Sequence, residues 1–308
     1  MNRVDVLIKQ QPKTMMKMKG KILFCGLLCL IGSHLAFAGK TLLAGPRQIS
    51  KSSTAASTAS KTDNYQAYLV LNATSGKILE EKNSSLKWPP ASLTKLMLAC
   101  IVMEKIYQAE LKLSDPVTVS RKAAGIGGSQ VYLKEGEVFS LEELMRATLI
   151  ESANDAAYAI GEFVAGSKEE FIQLMNAKAR SLHMKDTEFH SIHGLPPSRG
   201  QIEDFTTCRD LAILAEKLLK YPILLQWTSV RQTRFRNGTF IMTNSNRLLS
   251  KIPEIDGLKT GYYRRAGYNI VATAKKGNLR LVVIVLGSPT TGKRDAVVKE
   301  KLNRYLLQ

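Results

Sequence analysis

Hydrophobic and polar positions divide the chain into an apolar beginning, a polar stretch and a long remainder with the periodicity of a folded protein. The remainder opens with two short strands, Ala67–Leu71 and Lys77–Glu81, and the turn Thr74–Gly76 between them predicts a β-hairpin. Residues Ser92–Gln108 then place apolar side chains on nearly all sides of a helix, which is typical of a helix buried in a core. We therefore expect a sheet to begin at residue 67 and a buried helix to pack against it.

The middle of the chain is predicted to be helical, and strands return after it. Amphipathic helices are expected at Leu141–Ile150, Asn154–Val164, Lys168–Leu182 and Thr207–Leu219. A hairpin over Arg234–Ile241, strands at Gly267–Ala274 and Leu279–Leu286, and a helix at Arg294–Leu307 are expected to follow. Because strands lie at both ends with helices between them, the pattern predicts an α/β protein of the α+β type. In it, one antiparallel sheet is assembled from both ends of the chain beside an all-helical lobe.

The first 38 residues have the three-part pattern of a secretory signal peptide. Lys17–Lys21 is basic, Ile22–Ile31 is apolar, and Ala36-Phe37-Ala38 has the small residues of a cleavage site. Ser33 and His34 interrupt the apolar stretch, which is short for a membrane span of ~20 residues. We expect cleavage near Ala38 and secretion across the inner membrane.

Composition completes the domain plan. Residues 39–64 are rich in Ser, Thr, Ala and Lys, and form a predicted flexible linker before one folded domain over residues 65–308. The 44% share of apolar residues and the 23% share of charged residues fit a globular protein and exclude collagens, coiled coils and multi-span membrane proteins. After cleavage two cysteines remain, and Cys100 lies in an apolar helical run, so we expect buried free thiols rather than a Cys100–Cys208 disulfide.

Three short motifs carry the candidate chemistry, and the first is Ser92-Leu93-Thr94-Lys95 at the start of the buried helix. A serine and a lysine three positions apart share one face of a helix. The serine also lies near the positive end of the helix dipole, which stabilises a developing anion. Such a pair can form a nucleophile without histidine if the lysine is deprotonated when it acts. Alone the motif is weak, because serine caps are common at helix starts.

The other two motifs gain their meaning from the first. Ser152-Ala153-Asn154 lies between two predicted helices, and Lys259-Thr260-Gly261 precedes the strand that begins at Gly267. Each alone is explained by ordinary structure, as a helix cap or as an edge strand with a glycine turn. Together, their order and their separations of 60 and 107 residues match the three-motif set of the penicillin-binding proteins and serine β-lactamases.

On these motifs the chain resembles the low-molecular-mass penicillin-binding proteins, specifically the D-alanyl-D-alanine carboxypeptidases, from about Tyr65 onward. Further stretches similar to that family are Gly128-Ser129, Leu133–Glu137, Leu141 with Leu144, Glu151–Ala157, His193–Leu195, Arg209–Ala212, Asn244–Leu249, Gly257–Tyr262 and Ala266–Asn269. The resemblance implies a β-lactamase/transpeptidase-like fold, with an antiparallel sheet flanked by helices, an all-helical lobe, and the site in the cleft between them.

The resemblance also implies how the first two motifs act. Ser92 would attack the carbonyl between two D-alanines, and Lys95 would be the base. For that role the site must lower the lysine pKa from ~10.4 to about 7, by burial and by the nearby Lys259 ammonium. Ser152 would pass a proton to the leaving nitrogen, while Asn154 would hold Lys95 and the substrate amide.

The third motif is implied to bind the substrate. The backbone N–H groups of Ser92 and Tyr262 would form the oxyanion hole. Lys259 and Thr260 would bind the terminal carboxylate. Gly261 would let an extended substrate lie against the strand edge, where a side chain would block it. Tyr262 stands where some family members have histidine, which bears on the pH profile.

Four functions remain open at this point. A DD-carboxypeptidase removes the terminal D-alanine from peptidoglycan pentapeptide stems, and a DD-endopeptidase cleaves cross-links with the same machinery. A class A β-lactamase would need a deacylating glutamate in an E-x-x-x-N loop, and neither Glu188–His190 nor Glu203–Phe205 has that form. An inert penicillin-binding module is disfavoured because every motif residue is present. We expect the carboxypeptidase, since the bulky segment Tyr262–Arg265 favours a small leaving group.

Partners and ligands are predicted from the same residues. We expect peptidoglycan stem peptides as substrates, β-lactam antibiotics as covalent inhibitors, no cofactor, and no metal, because His190-x-x-His193 has no evident third ligand. Arg294 is either a second carboxylate-binding cation or a surface charge at a helix start.

The formal charge of +18, with a basic cluster at Arg231, Arg234, Arg236, Arg264 and Arg265, predicts at most loose contact with an anionic wall or membrane. Nucleic-acid binding is not expected, since no aromatic stacking platform is evident. With 47 residues after Gly261, we expect neither a C-terminal β-domain nor an anchor.

Overall fold

Antiparallel strands from both ends of the folded region build the central sheet of the computed structural model, which describes residues 64–307. The strands are β1 (Ala67–Asn72), β2 (Lys77–Lys82), β3 (Pro116–Thr118), β4 (Val138–Ser140), β5 (Gln232–Phe235), β6 (Phe240–Thr243), β7 (Ile255–Tyr263), β8 (Gly267–Lys276) and β9 (Leu279–Ser288). Five of them form the central sheet in the order β2-β1-β9-β8-β7. Because β1 pairs with β9, from Ala67 opposite Leu286 to Asn72 opposite Leu281, the sheet is assembled from both ends as predicted.

The helices lie mostly between β2 and β5. They are α1 (Lys95–Tyr107), α2 (Arg121–Ala124), α3 (Leu141–Ile150), α4 (Asn154–Ala165), α5 (Lys168–Ser181), α6 (Cys208–Leu218), α7 (Pro222–Thr228) and α8 (Thr291–Tyr305). Helix α1 is buried from Lys95 to Met103, which confirms the helix predicted to be apolar on nearly all sides. The predicted α+β fold, with a sheet and a helical lobe, is therefore confirmed.

Apolar packing fixes the sheet against α8. Val297, Val298 and Leu302 of that helix are buried in one cluster with Val283 and Val285 of β9. Side chains such as these each contribute about 1.5–3 kcal/mol when fully buried. The face of the sheet that packs on α8 is therefore part of the core. The edge strand β7 contacts the turn that carries Ser92.

Turn and capping residues mark the ends of several elements. The β5–β6 hairpin turns through Arg236, Asn237 and Gly238, all with positive φ, as the Asn-Gly pair predicts. Ser140 and Glu143 form a capping box at the start of α3. The pairing of β3 with β4 and the short helices α2 and α7 were not predicted, because segments of three to seven residues carry too little periodicity.

The remaining sequence predictions concern the amino-terminal segments and the cysteines. The predicted signal peptide and nearly all of the linker lie outside the described residues. Within residues 64–307, no helix has both the length and the apolar character needed to cross a membrane. Cys100 and Cys208 are buried free thiols, and burial raises the pKa of Cys100 to about 12.

Candidate active site

Ser92 lies on a short 3-10 turn, Ala91–Thr94, immediately before α1. The turn is fixed from the sheet side, because Asn269 Nδ2 of β8 donates hydrogen bonds to the carbonyls of Pro89 and Pro90 at 2.8 Å and 3.2 Å. Asn269 is fully buried, and its Oδ1 accepts a hydrogen bond from the Gly287 amide at 2.7 Å. The serine is therefore held at the start of α1, with the positive end of the helix beside it.

Lys95 is completely buried, and three oxygen atoms surround its amine. Nζ donates to Ser92 Oγ at 2.9 Å, to Asn154 Oδ1 at 2.6 Å and to the His193 carbonyl at 2.7 Å. Burial lowers the lysine pKa well below its ordinary value, and the Lys259 ammonium lowers it further, while Asp155 and Asp204 act in the opposite direction. These are the two causes that the sequence predicts for an amine that must act as a base.

Asn154 connects the second motif to the first. Its Nδ2 donates to the Gly127 carbonyl at 2.7 Å, so its Oδ1 is turned toward Lys95. Its backbone amide donates to the Ser129 carbonyl at 2.7 Å. Gly128 has φ +80°, and a Cβ there would lie 2.6 Å from Asn154 Nδ2, so this loop needs a glycine. The predicted contact between Asn154 and Lys95 is present.

Ser152 lies on the connection between α3 and α4, as the sequence predicts. It is 5% exposed and has φ +66°, a left-handed conformation that is uncommon for a residue with a side chain. Residues in such conformations concentrate at functional sites. Its role in proton transfer stays a prediction.

The His193 carbonyl is a part of the site that the sequence did not reveal. Gly194, with φ +75°, makes the contact possible, because a Cβ at this position would lie 1.9 Å from the Ala91 carbonyl oxygen. The imidazole Nδ1 accepts the Leu195 amide at 3.1 Å, and burial, aided by Lys95, lowers the pKa of His193 to about 3.

Asp204 ties the His193 loop to the turn that carries Ser92. It is 6% exposed, and it accepts hydrogen bonds from the amides of His190 and Ser191 at 2.7 Å and 2.9 Å. The hydroxyls of Ser191 and Thr94 donate to it at 2.8 Å and 2.9 Å. The loop is thereby anchored to the residue next to Lys95.

The third motif lies in β7, which is one of the two edge strands of the central sheet among residues 64–307. Lys259 is 1% exposed, and its Nζ donates to the Thr260 carbonyl at 3.0 Å. Burial, followed by repulsion from Arg294, lowers the Lys259 pKa to about 7. The cation predicted for the substrate carboxylate is thus buried and loses its charge near neutral pH.

Gly261 has a structural reason to be glycine in addition to the one expected. A Cβ at this position would lie 2.7 Å from the Pro90 carbonyl oxygen and 3.0 Å from the Ser92 amide nitrogen. The residue therefore lets β7 pack directly on the turn that carries the serine, and its making room for substrate stays a prediction. The Tyr262 ring is 54% exposed and stacks on Tyr268, with centroids 4.2 Å apart.

Arg294 is not the surface charge that was one of its two interpretations. It is 3% exposed, and both its Nε and its Nη2 donate to Asp295 Oδ1, at 2.9 Å and 2.6 Å. It is close enough to Lys259 to lower the pKa of that lysine. Its contact with a substrate carboxylate stays a prediction.

The family described as D-alanyl-D-alanine carboxypeptidase matches residues 53–290. The D-alanyl-D-alanine carboxypeptidase DacF of Bacillus subtilis is 38% identical over 238 residues, which are 76% of this chain and 60% of that protein. DacC of Escherichia coli is 38% identical over 73% of this chain and 57% of its own length. The chain thus spans about three fifths of these two relatives.

A relative of different activity also matches. The D-alanyl-D-alanine endopeptidase of Pseudomonas aeruginosa is 31% identical over 245 residues, which are 77% of this chain and 76% of that protein.

Solved structures with the same fold are similar to this chain over most of its length. The structure of penicillin-binding protein 6B from Escherichia coli is similar to this chain with a TM-score of 0.73 and 33% sequence identity. The similarity covers 80% of this chain and 78% of that protein's chain. Penicillin-binding protein D2 of Listeria monocytogenes, in an ampicillin-bound form, has a TM-score of 0.70 and 31% identity, and covers 78% of this chain and 96% of its own.

Proposed function

Because the chain belongs to the D-alanyl-D-alanine carboxypeptidase family, we propose that it hydrolyses the terminal D-Ala–D-Ala bond of peptidoglycan pentapeptide stems through an acyl-enzyme on Ser92. The observation that carries this proposal is the environment of Lys95, a buried amine 2.9 Å from the Ser92 hydroxyl. The family assignment favours a peptidase over the β-lactamase alternative.

The first step depends on the neutral form of Lys95. A neutral amine has two N–H groups and one lone pair. Asn154 Oδ1 at 2.6 Å and the His193 carbonyl at 2.7 Å can each accept one N–H, which leaves the lone pair for the Ser92 hydroxyl proton. Ser92 then attacks the carbonyl carbon of the penultimate D-alanine. The proton held by Lys95 goes to the leaving nitrogen, with Ser152 on its path, and water completes the hydrolysis.

Substrate binding is assigned to β7. An extended stem peptide can pair with this edge strand through backbone hydrogen bonds. Lys259 and Thr260 lie where the strand passes the serine turn, and they supply a cation and a hydroxyl for the terminal carboxylate. β-Lactam antibiotics have a comparable carboxylate and a strained amide, so we propose that they acylate Ser92 as covalent inhibitors.

Cleavage of cross-links is the second candidate function, and the similarity to the Pseudomonas aeruginosa endopeptidase favours it. Both reactions release a D-amino acid with a free carboxylate, so the third motif does not separate them. The room beyond the leaving group does. That room is bounded by the loop at Gly125–Ser129 and by the segment Tyr262–Arg265, whose bulky side chains favour the small D-alanine.

A competition experiment tests the order of these two functions. Equal amounts of monomeric pentapeptide muropeptide and cross-linked dimer should be given to the purified enzyme, and the products followed by chromatography. We expect terminal D-alanine to be lost from the monomer faster than the dimer is cleaved. Faster loss of the dimer would make the chain an endopeptidase, and no turnover of either would contradict the proposed function.

Replacing Lys259 with arginine should change the pH profile more than it changes the maximum rate. The free enzyme loses its Lys259 charge as pH rises through about 7, so kcat/KM should fall on the alkaline side. Arginine stays charged, and the alkaline fall should move to a higher pH in the variant. Because Lys259 is only 1% exposed, the larger guanidinium at this position should raise KM more than it lowers kcat. An alkaline limb that stays in place would show that Lys259 is not the titrating group.

The location of the enzyme is proposed from the sequence alone. The pattern of Lys17–Ala38 supports export and a periplasmic or cell-wall-facing mature protein. The amino-terminal sequence of protein isolated from cells should begin near Gly39, and salt should release any membrane-bound fraction. A sequence that begins before Lys17, together with salt-resistant pelleting, would contradict this proposal.

A further inference from the structure

Ser245 is an exposed serine whose hydroxyl reaches the third motif. It lies on the segment between β6 and β7, and its Oγ is 2.6 Å from Thr260 Oγ1. Thr260 is 6% exposed, so Ser245 is the member of this pair that faces solvent more openly.

Two buried asparagines hold the backbone on either side of Ser245. Asn244 Nδ2 donates to the carbonyls of Thr228 and Val230, both at 3.0 Å, and its Oδ1 accepts the Asn246 amide at 2.9 Å. Asn246 is 2% exposed, and its Oδ1 accepts the Leu248 amide at 3.2 Å. An exposed side chain is thus presented from a fixed backbone, which is the arrangement expected of a recognition residue.

Unlike Ser245, the two cations of the site are buried. Lys259 is 1% exposed and bonded to the Thr260 carbonyl, and Arg294 is 3% exposed and bonded to Asp295. The Ser245 hydroxyl is thus on an exposed residue, while the two cations are buried and already bonded to protein oxygens.

We propose that Ser245 and Thr260 form a hydroxyl pair that binds the two oxygens of the substrate carboxylate, which makes Ser245 a specificity-determining residue for a free acid. Without a ligand, one hydroxyl donates to the other across 2.6 Å. Hydroxyl hydrogens rotate, so both can donate to a carboxylate, and hydrogen bonds to a charged acceptor are the stronger ones. This inference rests on the proposed function, since it names the group that the site selects.

The test compares a penicillin with its methyl ester on Ser245→Ala. Acylation rates should be measured by mass spectrometry of the intact protein over time. With the free acid, we expect the variant to react about 10- to 100-fold more slowly than the wild type, the range for one lost hydrogen bond to a charged group. With the ester, both proteins should react at similar, low rates. Ser245→Thr, which keeps the hydroxyl, should restore the rate with the acid.

Ser250→Ala is the matched control, because this exposed serine donates only to the Arg247 carbonyl, at 2.9 Å, among its contacts in the described region. It should react like the wild type with both compounds. An equal loss with acid and ester, or no loss in Ser245→Ala, would overturn the inference alone. A wild type that forms no adduct with the acid would overturn the proposed function and this inference together.

Discussion

Replacing Ser92 with alanine should abolish both covalent labelling by penicillin and release of D-alanine. The Ser92 hydroxyl lies 2.9 Å from the buried amine of Lys95 and at the start of α1. Loss of a nucleophile that acts together with its base should lower turnover by ~10⁴-fold or more. Mass spectrometry of the intact protein and chromatography of the released amino acid measure the two effects.

The same variant should stay folded, which separates a lost nucleophile from a lost structure. Among the described residues, the Ser92 hydroxyl has one side-chain hydrogen bond, with Lys95, so the free energy of unfolding should change by about 1 kcal/mol or less. Ser85→Ala, at an exposed serine in the same connection between β2 and α1, is the control and should be labelled like the wild type. Stable labelling of Ser92→Ala, or an adduct mapped to another residue, would refute the assignment.

The parts of the site that were predictable from the sequence are those that local structure determines. Ser92 and Lys95 meet because residues three positions apart lie one helical turn apart. Ser92 lies on the 3-10 turn that leads directly into α1, which begins at Lys95. Ser152 and Asn154 were placed between two helices because the amphipathic pattern stops and restarts there. The helix predicted over residues 141–150 has those bounds in the structure. Periodicity and caps act within a few residues, so the sequence carries them directly.

The parts that were not predictable depend on contacts between distant segments. The His193 carbonyl acts through a backbone oxygen, which every residue has, and the one local hint is the glycine that follows it. Asn269 fixes the turn before Ser92 through hydrogen bonds to Pro89 and Pro90, which are 180 and 179 residues away along the chain. Nothing in a local pattern shows which turn its amide will reach.

Gly261 and Arg294 have close neighbours that the sequence pattern did not show. Gly261 was expected to make room for substrate, which stays a prediction, and in the structure it also makes room for the backbone of Pro90 and Ser92. Arg294 was expected to face either the substrate or the solvent, and it is buried against Asp295. In both cases the residue type is explained by what packs on it, which is a property of the tertiary structure.

Replacing Lys95 with arginine should nearly abolish acylation although the positive charge is kept. A guanidinium does not give up its proton, so it cannot take the proton of Ser92. Loss of a general base should cost ~10²-fold or more in the acylation rate. The rate should be measured with a penicillin in excess, by mass spectrometry at short times, and retention of more than about a tenth of the wild-type rate would show that another group is the base.

A matched control on the same helix is Lys105→Arg. Lys105 forms an ion pair with Glu110 at 2.7 Å and lies outside the site, so arginine should replace it without effect on acylation. Thermal unfolding of both variants shows whether the larger side chain at the fully buried position 95 has damaged the fold. A Lys95→Arg protein that melts near the wild-type temperature and fails to acylate isolates the chemical role of the amine.

The pH dependence gives an independent measure of that role. Lys95 must be neutral to act, so acylation should fall as pH drops through its pKa, which burial and Lys259 hold well below the ordinary lysine value. Lys259→Arg keeps a positive charge next to Lys95 at every pH, so this acid limb should persist in that variant. In Lys95→Arg, whose side chain stays charged, the residual rate should show no such limb. Persistence of the limb in Lys95→Arg would assign it to a different group, because a guanidinium keeps its proton over this pH range.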